Sequence, residues 1–134
     1  MSKRAINPVD LAPPIGFAHA WLVEHGAART LYLAGQCGYD EKGLVVSKGD
    51  LVAQLDLALR NIGCVLRDAD MEFADVVQLN FYVRSRDDYA TARKAFGQTW
   101  RQHCGKHYPG MAMFQVMSLF DPEALIEVQG IAAR

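Results

Sequence analysis

The side chains able to do chemistry in this sequence are few, and no familiar catalytic spacing groups them. His103 and His107 are four apart, a spacing that can place two imidazoles on one helix face for a metal ion. Gly105 interrupts them, no HExxH surrounds them and no third ligand is evident. They are expected to be surface residues at a helix end, with no metal. Cys37 follows "AGQ" in a glycine-rich turn. A nucleophilic thiolate needs a base or a positive field beside it, and the sequence names none, so Cys37 reads as a small turn or core residue. The glycines of "AGQCGYDEKG" match neither a P-loop nor GxGxxG. His19, in "GFAHAW", alternates with Phe17 and Trp21 along an expected strand. It is either an acid or base working near neutral pH or a satisfied interface residue. Arg93, inside an expected helix, is either solvated or a binding cation. Gln129 shares a strand face with Glu127. In "HYPGMAMFQV" a strand follows a Pro-Gly turn, and the positions best placed to grip a substrate are Met111 and Met113.

Any such site has to be built by one domain, residues 1–134. About half the residues are apolar (51%) and 22% are charged, enough for a packed core. No apolar run approaches the ~18–20 residues of a membrane span. "MSKRAINPVD" has two basic residues with no apolar run behind them, so no secretory signal is expected. The formal charge of −1 lacks the basic excess of a nucleic-acid binder. Three distant cysteines with no CxxC fit reduced thiols. The expectation is a soluble cytoplasmic protein that binds neither membrane nor nucleic acid.

The first 16 residues hold three of the five prolines and are expected to form an extended lead-in. "GFAHAWLVEHG" and "AARTLYLAGQCG" read as two strands of a hairpin. "GDLVAQLDLALRNIGCVLRDAD" carries Leu51, Leu55, Ala58, Leu59, Ile62, Val65 and Leu66 on one helical stripe, with Asp50 as N-cap. "DVVQLNFYVRS" alternates as a strand. Ser85 with Asp88 starts a second helix, which carries Tyr89, Ala92, Phe96 and Trp100 and ends near Gly105. "MAMFQVMSL" and "EALIEVQGIAA" are two more strands, joined by "FDPE". The order is β-β-α-β-α-β-β, an α+β sheet with two helices on one face. Both alternating sets of the "MAMFQVM" strand are largely apolar. The helix-free face therefore needs a partner, and a homo-oligomer is expected.

Taken together, "INP…APPIGFAHA", "LYLAGQCGYDEKG", the long first helix, "DVVQLNFYV" and "YPGMAMFQV…LIEVQGIAA" resemble the YjgF/RidA family, also described as endoribonuclease L-PSP-like. The resemblance runs in order over nearly the whole chain. It implies a chorismate-mutase-like α+β fold, a homotrimer, and small-molecule pockets at subunit interfaces. The best-known activity of the family is hydrolysis of enamines and imines derived from amino acids such as serine and threonine. Water attacks the imine carbon, ammonia and a 2-keto acid are released, and no cofactor takes part.

The resemblance also implies a set of site positions. Active members hold the substrate carboxylate with an arginine at the position of Met111 and carry a cysteine at that of Met113. A glutamate of the last strand matches Gln129, a serine Ala34, a tyrosine Ala18 and a helix asparagine Arg93. Methionine offers a carboxylate no donor, and glutamine is not a carboxylate base. The fold signature is kept while the imine-hydrolase set is replaced, and the pocket is expected to be more apolar and less charged. Two readings stay open. One is a hydrolase or deaminase-type enzyme on a less anionic enamine, imine or other small metabolite, with His19 and Arg93 supplying polarity beside Met111 across a subunit interface. The other is a non-catalytic trimer that binds a regulatory metabolite. Ribonuclease activity is disfavoured by the charge balance and by the lack of an acid–base pair.

Overall fold

A computed structural model describes all residues, 1–134. Six strands form one sheet: β1 (Ser2–Ile6), β2 (Ala20–His25), β3 (Ala28–Gln36), β4 (Val76–Val83), β5 (Gly110–Gln115) and β6 (Ile126–Ala133). Two helices, α1 (Leu51–Asp68) and α2 (Arg86–Cys104), complete it. The strand order is β1-β2-β3-β6-β4-β5. Every neighbouring pair is antiparallel except β4–β5, whose parallel pairing needs the α2 crossover. The α+β class and the order of the expected elements agree with the structure.

The N-terminus differs from the expected lead-in. Residues 2–6 add a strand, pairing antiparallel along β2 from Ser2↔Glu24 to Ile6↔Ala20. Of these five only Ile6 is buried, so no apolar alternation announced the strand. Backbone pairing holds it, and Lys3 and Arg4 give this sheet edge the charge that discourages further pairing. The expected first strand also begins later, at Ala20, after His19. It does form the expected hairpin with β3, turning over Gly26 and Ala27, with Gly26 at φ +62°.

The stripe of α1 is the centre of the core. Leu55, Leu59, Ile62 and Val65 are fully buried, each worth about 1.5–3 kcal/mol by burial. They pack against Leu22, Leu31, Leu79, Ile126 and Val128 of the sheet. Asp50 caps α1 by accepting from the Ala53 N–H, and Ser85 caps α2 by accepting from the Asp88 N–H. Two polar residues on α1 tie down loops. The buried Gln54 amide donates to the Ser47 and Glu123 carbonyls and accepts from the Leu125 N–H. Asn61 donates to the carbonyls of Cys37 and Tyr39.

The opposite face of the sheet carries Trp21, Tyr32, Val77 and Phe114, all exposed. Trp21 pairs with Tyr32 across β2–β3, and Tyr82 stacks on Phe114 across β4–β5 with ring centroids 5.6 Å apart. Such an apolar sheet face matches the one expected to be covered by further copies of the chain.

Candidate active site between α2 and β5

The strand β5 is the edge of the sheet, and α2 lies along it. Two contacts fix the helix lengthwise. At its start the Arg86 N–H donates to Gln115 Oε1 (2.9 Å). At its end the Trp100 indole N–H donates to the His107 carbonyl (3.1 Å), and Trp100 stacks on Tyr108. His107 is itself anchored, its Nε2 lying 2.7 Å from the Val76 carbonyl. Between these pins α2 and β5 enclose a cavity of about 330 Å³.

The register of β5 decides what faces the cavity. Met111 pairs with Leu79 and Met113 with Phe81, and those partners point into the helix side of the sheet. Met111 and Met113 therefore turn toward α2. From the helix come Tyr89, Arg93, Gly97 and Arg101, spaced by four along one stripe, with Phe96 and Trp100 beside them. The walls are apolar and aromatic, and two arginines add positive charge to them. Neither Arg93 nor Arg101 has an ion-pair or hydrogen-bond partner among the protein side chains or carbonyls.

His19 is not part of this cavity. It is buried just before β2, and each ring nitrogen has a partner within the chain. Nε2–H donates to the Ala12 carbonyl (2.8 Å), and Nδ1 accepts from the buried Gln36 amide (3.1 Å). Its backbone N–H donates to Asn7 Oδ1 (2.9 Å), and Phe17 packs edge-on against the ring. Within the protomer Arg93 lines the cavity with Met111, and His19 is held in place as a strut between the lead-in and β3.

Gln129 is exposed on the helix-free face, in register with Asn80. Two residues earlier on that face stands Glu127, a half-buried carboxylate. Its carboxyl packs directly over the α-carbon of Gly35, where any β-carbon would collide with it. Its Oε2 is 3.7 Å from Cys37 Sγ, and the thiol points at it. Burial first, then the Glu127 charge, pushes the Cys37 thiol up to about 12. Cys37 is therefore a neutral donor to a carboxylate and no nucleophile at neutral pH, consistent with its reading as a small turn or core residue. Gly35, in β3, leaves room for this side chain from a distant strand.

His103 and His107 part company. His103 Nε2 lies 2.6 Å from Asp56 on α1, whereas His107 faces the Val76 carbonyl. No group of three His, Cys, Asp or Glu side chains is arranged to hold a metal ion. A second cavity, about 430 Å³, flanks α1 and mixes Asp10, Asp40 and Glu41 with Arg60 and Arg67. No helix is long and apolar enough to cross a membrane.

A sheet of this order with two helices on one face defines an α+β domain, here with a ligand-sized cleft at its edge strand. Residues 14–134 match the Endoribonuclease L-PSP family, and the chain belongs to that family. It is 27% identical to human 2-iminobutanoate/2-iminopropanoate deaminase over 131 residues, covering 97% of this chain and 89% of that protein. It is 28% identical to the RutC family protein PH0854 of Pyrococcus horikoshii over 106 residues, 79% of this chain and 80% of that one. Among solved structures, E. coli TdcF with bound serine superposes with a TM-score of 0.80 at 22% identity, covering 98% of each chain. The E. coli YjgF gene product does so with 0.80 at 23%, again over 98% of each. These structures share the YjgF/RidA fold, and the named relatives support a RidA-like function for the chain at the level of the family.

Proposed function

We propose that the protein is a RidA-like hydrolase of an imine or enamine derived from an amino acid, with the substrate carboxylate held by Arg93 instead of by a cation at position 111. The observation that carries this reading is the placement of Arg93, unpaired, on the same cavity as Met111 and Met113. A guanidinium grips a carboxylate through two parallel charge-assisted hydrogen bonds, which orient as well as bind it. Water then adds to the C=N carbon, the nitrogen takes up a proton, and the C–N bond breaks to leave ammonia and a 2-keto acid. No cofactor enters.

The step needs a group that takes the proton of the water and returns it to nitrogen. Gln129 cannot do this, and Glu127 is the carboxylate on the same strand face. Arg93 and Glu127 lie on opposite faces of one sheet, so one protomer cannot bring them together. A homotrimer that covers the exposed helix-free face would let one protomer offer Glu127 to the cavity of the next. Sedimentation at micromolar concentration should then give three times the 14.9 kDa chain mass.

The test is imine hydrolysis itself. An amino-acid oxidase generates 2-imino acids in the presence of semicarbazide, and added protein should suppress semicarbazone formation. Arg93→Ala and Glu127→Gln should each remove most of that suppression. No suppression by the wild-type protein with any imino acid would overturn the reading. One observation favours a second reading: within a single protomer the cavity holds no carboxylate. A non-catalytic metabolite-binding trimer would show ligand-induced stabilisation with no turnover. The absence of a membrane-length helix and of a basic excess supports a cytoplasmic setting without membrane or nucleic-acid partners.

A further inference from the structure

The cavity is larger and more aromatic than a three- or four-carbon imino acid requires. At about 330 Å³ it falls in the range of roughly 300–1,000 Å³ typical of pockets for drug-sized ligands. Tyr89, Phe96, Trp100 and Tyr108 line it on the side of α2, with the adaptable thioethers of Met111 and Met113 opposite. A small methyl or ethyl group would leave most of this wall without contact.

Gly97 adds an independent clue. It sits in the middle of α2, where glycine is less stable than alanine. Nothing packs on it that would demand a glycine. A β-carbon there would meet only Arg101 Nη1, at an ordinary 3.7 Å. Elsewhere the chain shows what a required glycine looks like: at Gly38 the same β-carbon would fall 2.8 Å from the Gln54 α-carbon. Gly97 is instead part of the cavity wall, where the missing side chain leaves room that Arg101 Nη1 borders.

Arg93 and Arg101 flank Gly97 one turn to either side. Side chains on a helix lean toward its N-terminus, and Arg101 folds back so that its Nη1 comes close to residue 97. The same lean carries Arg93 the other way, toward Tyr89, so the two unpaired guanidiniums line one cavity from separate turns. A carboxylate entering the cavity meets two guanidiniums that have no partner in the protein.

We propose that the ligand of this cavity is an amino-acid-derived carboxylate with an aromatic side chain. Its ring lies flat on Gly97 among the aromatic residues, and its carboxylate is shared by Arg93 and Arg101. Gly97 is then the position that sets side-chain preference, and Arg101 is a second binding cation. The inference rests on the hydrolase reading only for calling the ligand an imino acid; the shape and charge argument stands on the cavity.

The corresponding 2-keto acids are stable products and serve as probes. Calorimetric titration of the full-length protein should give a Kd for phenylpyruvate at least tenfold below that for pyruvate. Arg101→Ala should weaken phenylpyruvate at least tenfold. Gly97→Ala should lower the phenylpyruvate-to-pyruvate preference at least tenfold, while its melting temperature is no lower than that of the wild type, which excludes misfolding as the cause. Equal affinity for the two acids, or a preference untouched by Gly97→Ala, would overturn the proposal. The two readings fail separately. Tight phenylpyruvate binding without imine turnover would sink the hydrolase and leave this proposal intact. Turnover of 2-iminopropanoate with no aromatic preference would do the reverse.

Discussion

At the corner where the N-terminal segment meets β3, both ring nitrogens of His19 have partners inside the chain. Along α2, neither Arg93 nor Arg101 has any, although both line a cavity. The two regions use polar groups in opposite ways. His19 joins the Ala12 carbonyl to the buried Gln36 amide, and so serves the fold. The arginines contribute little to the fold, and their hydrogen-bonding capacity is left for water or a ligand. A buried polar group without a partner costs stability, so the one at the corner is satisfied and the unsatisfied ones stay at an exposed rim.

The largest stability effect belongs to the corner. His19→Ala leaves the Gln36 amide buried with one partner fewer and should cost about 2–3 kcal/mol, combining the stranded polar group with lost packing. Urea unfolding followed at one fixed protein concentration reads this directly, the fixed concentration being needed because subunit association adds to apparent stability. An unchanged midpoint would mean that the hydrogen bonds are incidental and that His19 is free for chemistry, which would break the comparison.

The cavity should behave the other way. Arg93→Ala should change stability by less than about 0.5 kcal/mol, as exposed substitutions do. The same change should lower kcat/KM for imine hydrolysis by about 10–100-fold, the effect of removing a charge-assisted pair to a carboxylate, worth roughly 1.5–3 kcal/mol. A large loss of stability with no kinetic effect would place Arg93 with His19 among the structural residues.

These assignments divide along what local sequence can encode. The stripe of α1, the alternation of β4, and the caps at Asp50 and Ser85 were legible because each depends on residues within a turn or two of one another. The strand at residues 2–6 was not, because it buries one side chain and is held by backbone pairing to β2. Within the protomer Met111, Met113 and Arg93 line one cavity, while Gln129 and His19 lie elsewhere. The contact of Glu127 with Gly35 joins residues 92 positions apart, and no local pattern encodes it. Arg101 is a different case. The four-residue spacing Tyr89, Arg93, Gly97, Arg101 was present in the sequence, overshadowed by the apolar stripe next to it.

Cys37 sharpens the contrast from the helix-free side. Its thiol, held up to about 12 by burial and by Glu127, is one of two; Cys104, buried at the end of α2, is also held up to about 12. In the unfolded chain both ionise near the ordinary 9.0, so the unfolded state releases these protons first as pH rises. Their contribution is complete below about pH 9 and is lost progressively toward pH 12. The urea midpoint should therefore fall between pH 9 and 11, and a Cys37→Ala, Cys104→Ala variant should show a shallower decline. An equal slope in both proteins would mean that the alkaline loss comes from other groups.

The smallest effect concerns access alone. Cys64 is half-buried on α1 beside the second cavity, whereas Cys37 and Cys104 are buried. Reaction with a chromogenic disulfide at pH 8 should consume one thiol per chain quickly, and the other two only at the rate at which the fold opens. Blocking Cys64 should leave imine hydrolysis and keto-acid binding as they were, because Cys64 is on α1 and the cavity lies between α2 and β5. Loss of activity on modifying that single thiol would move the functional site from the edge of β5 to the charged cleft around Arg60 and Arg67, and the comparison with His19 would have to be redrawn there.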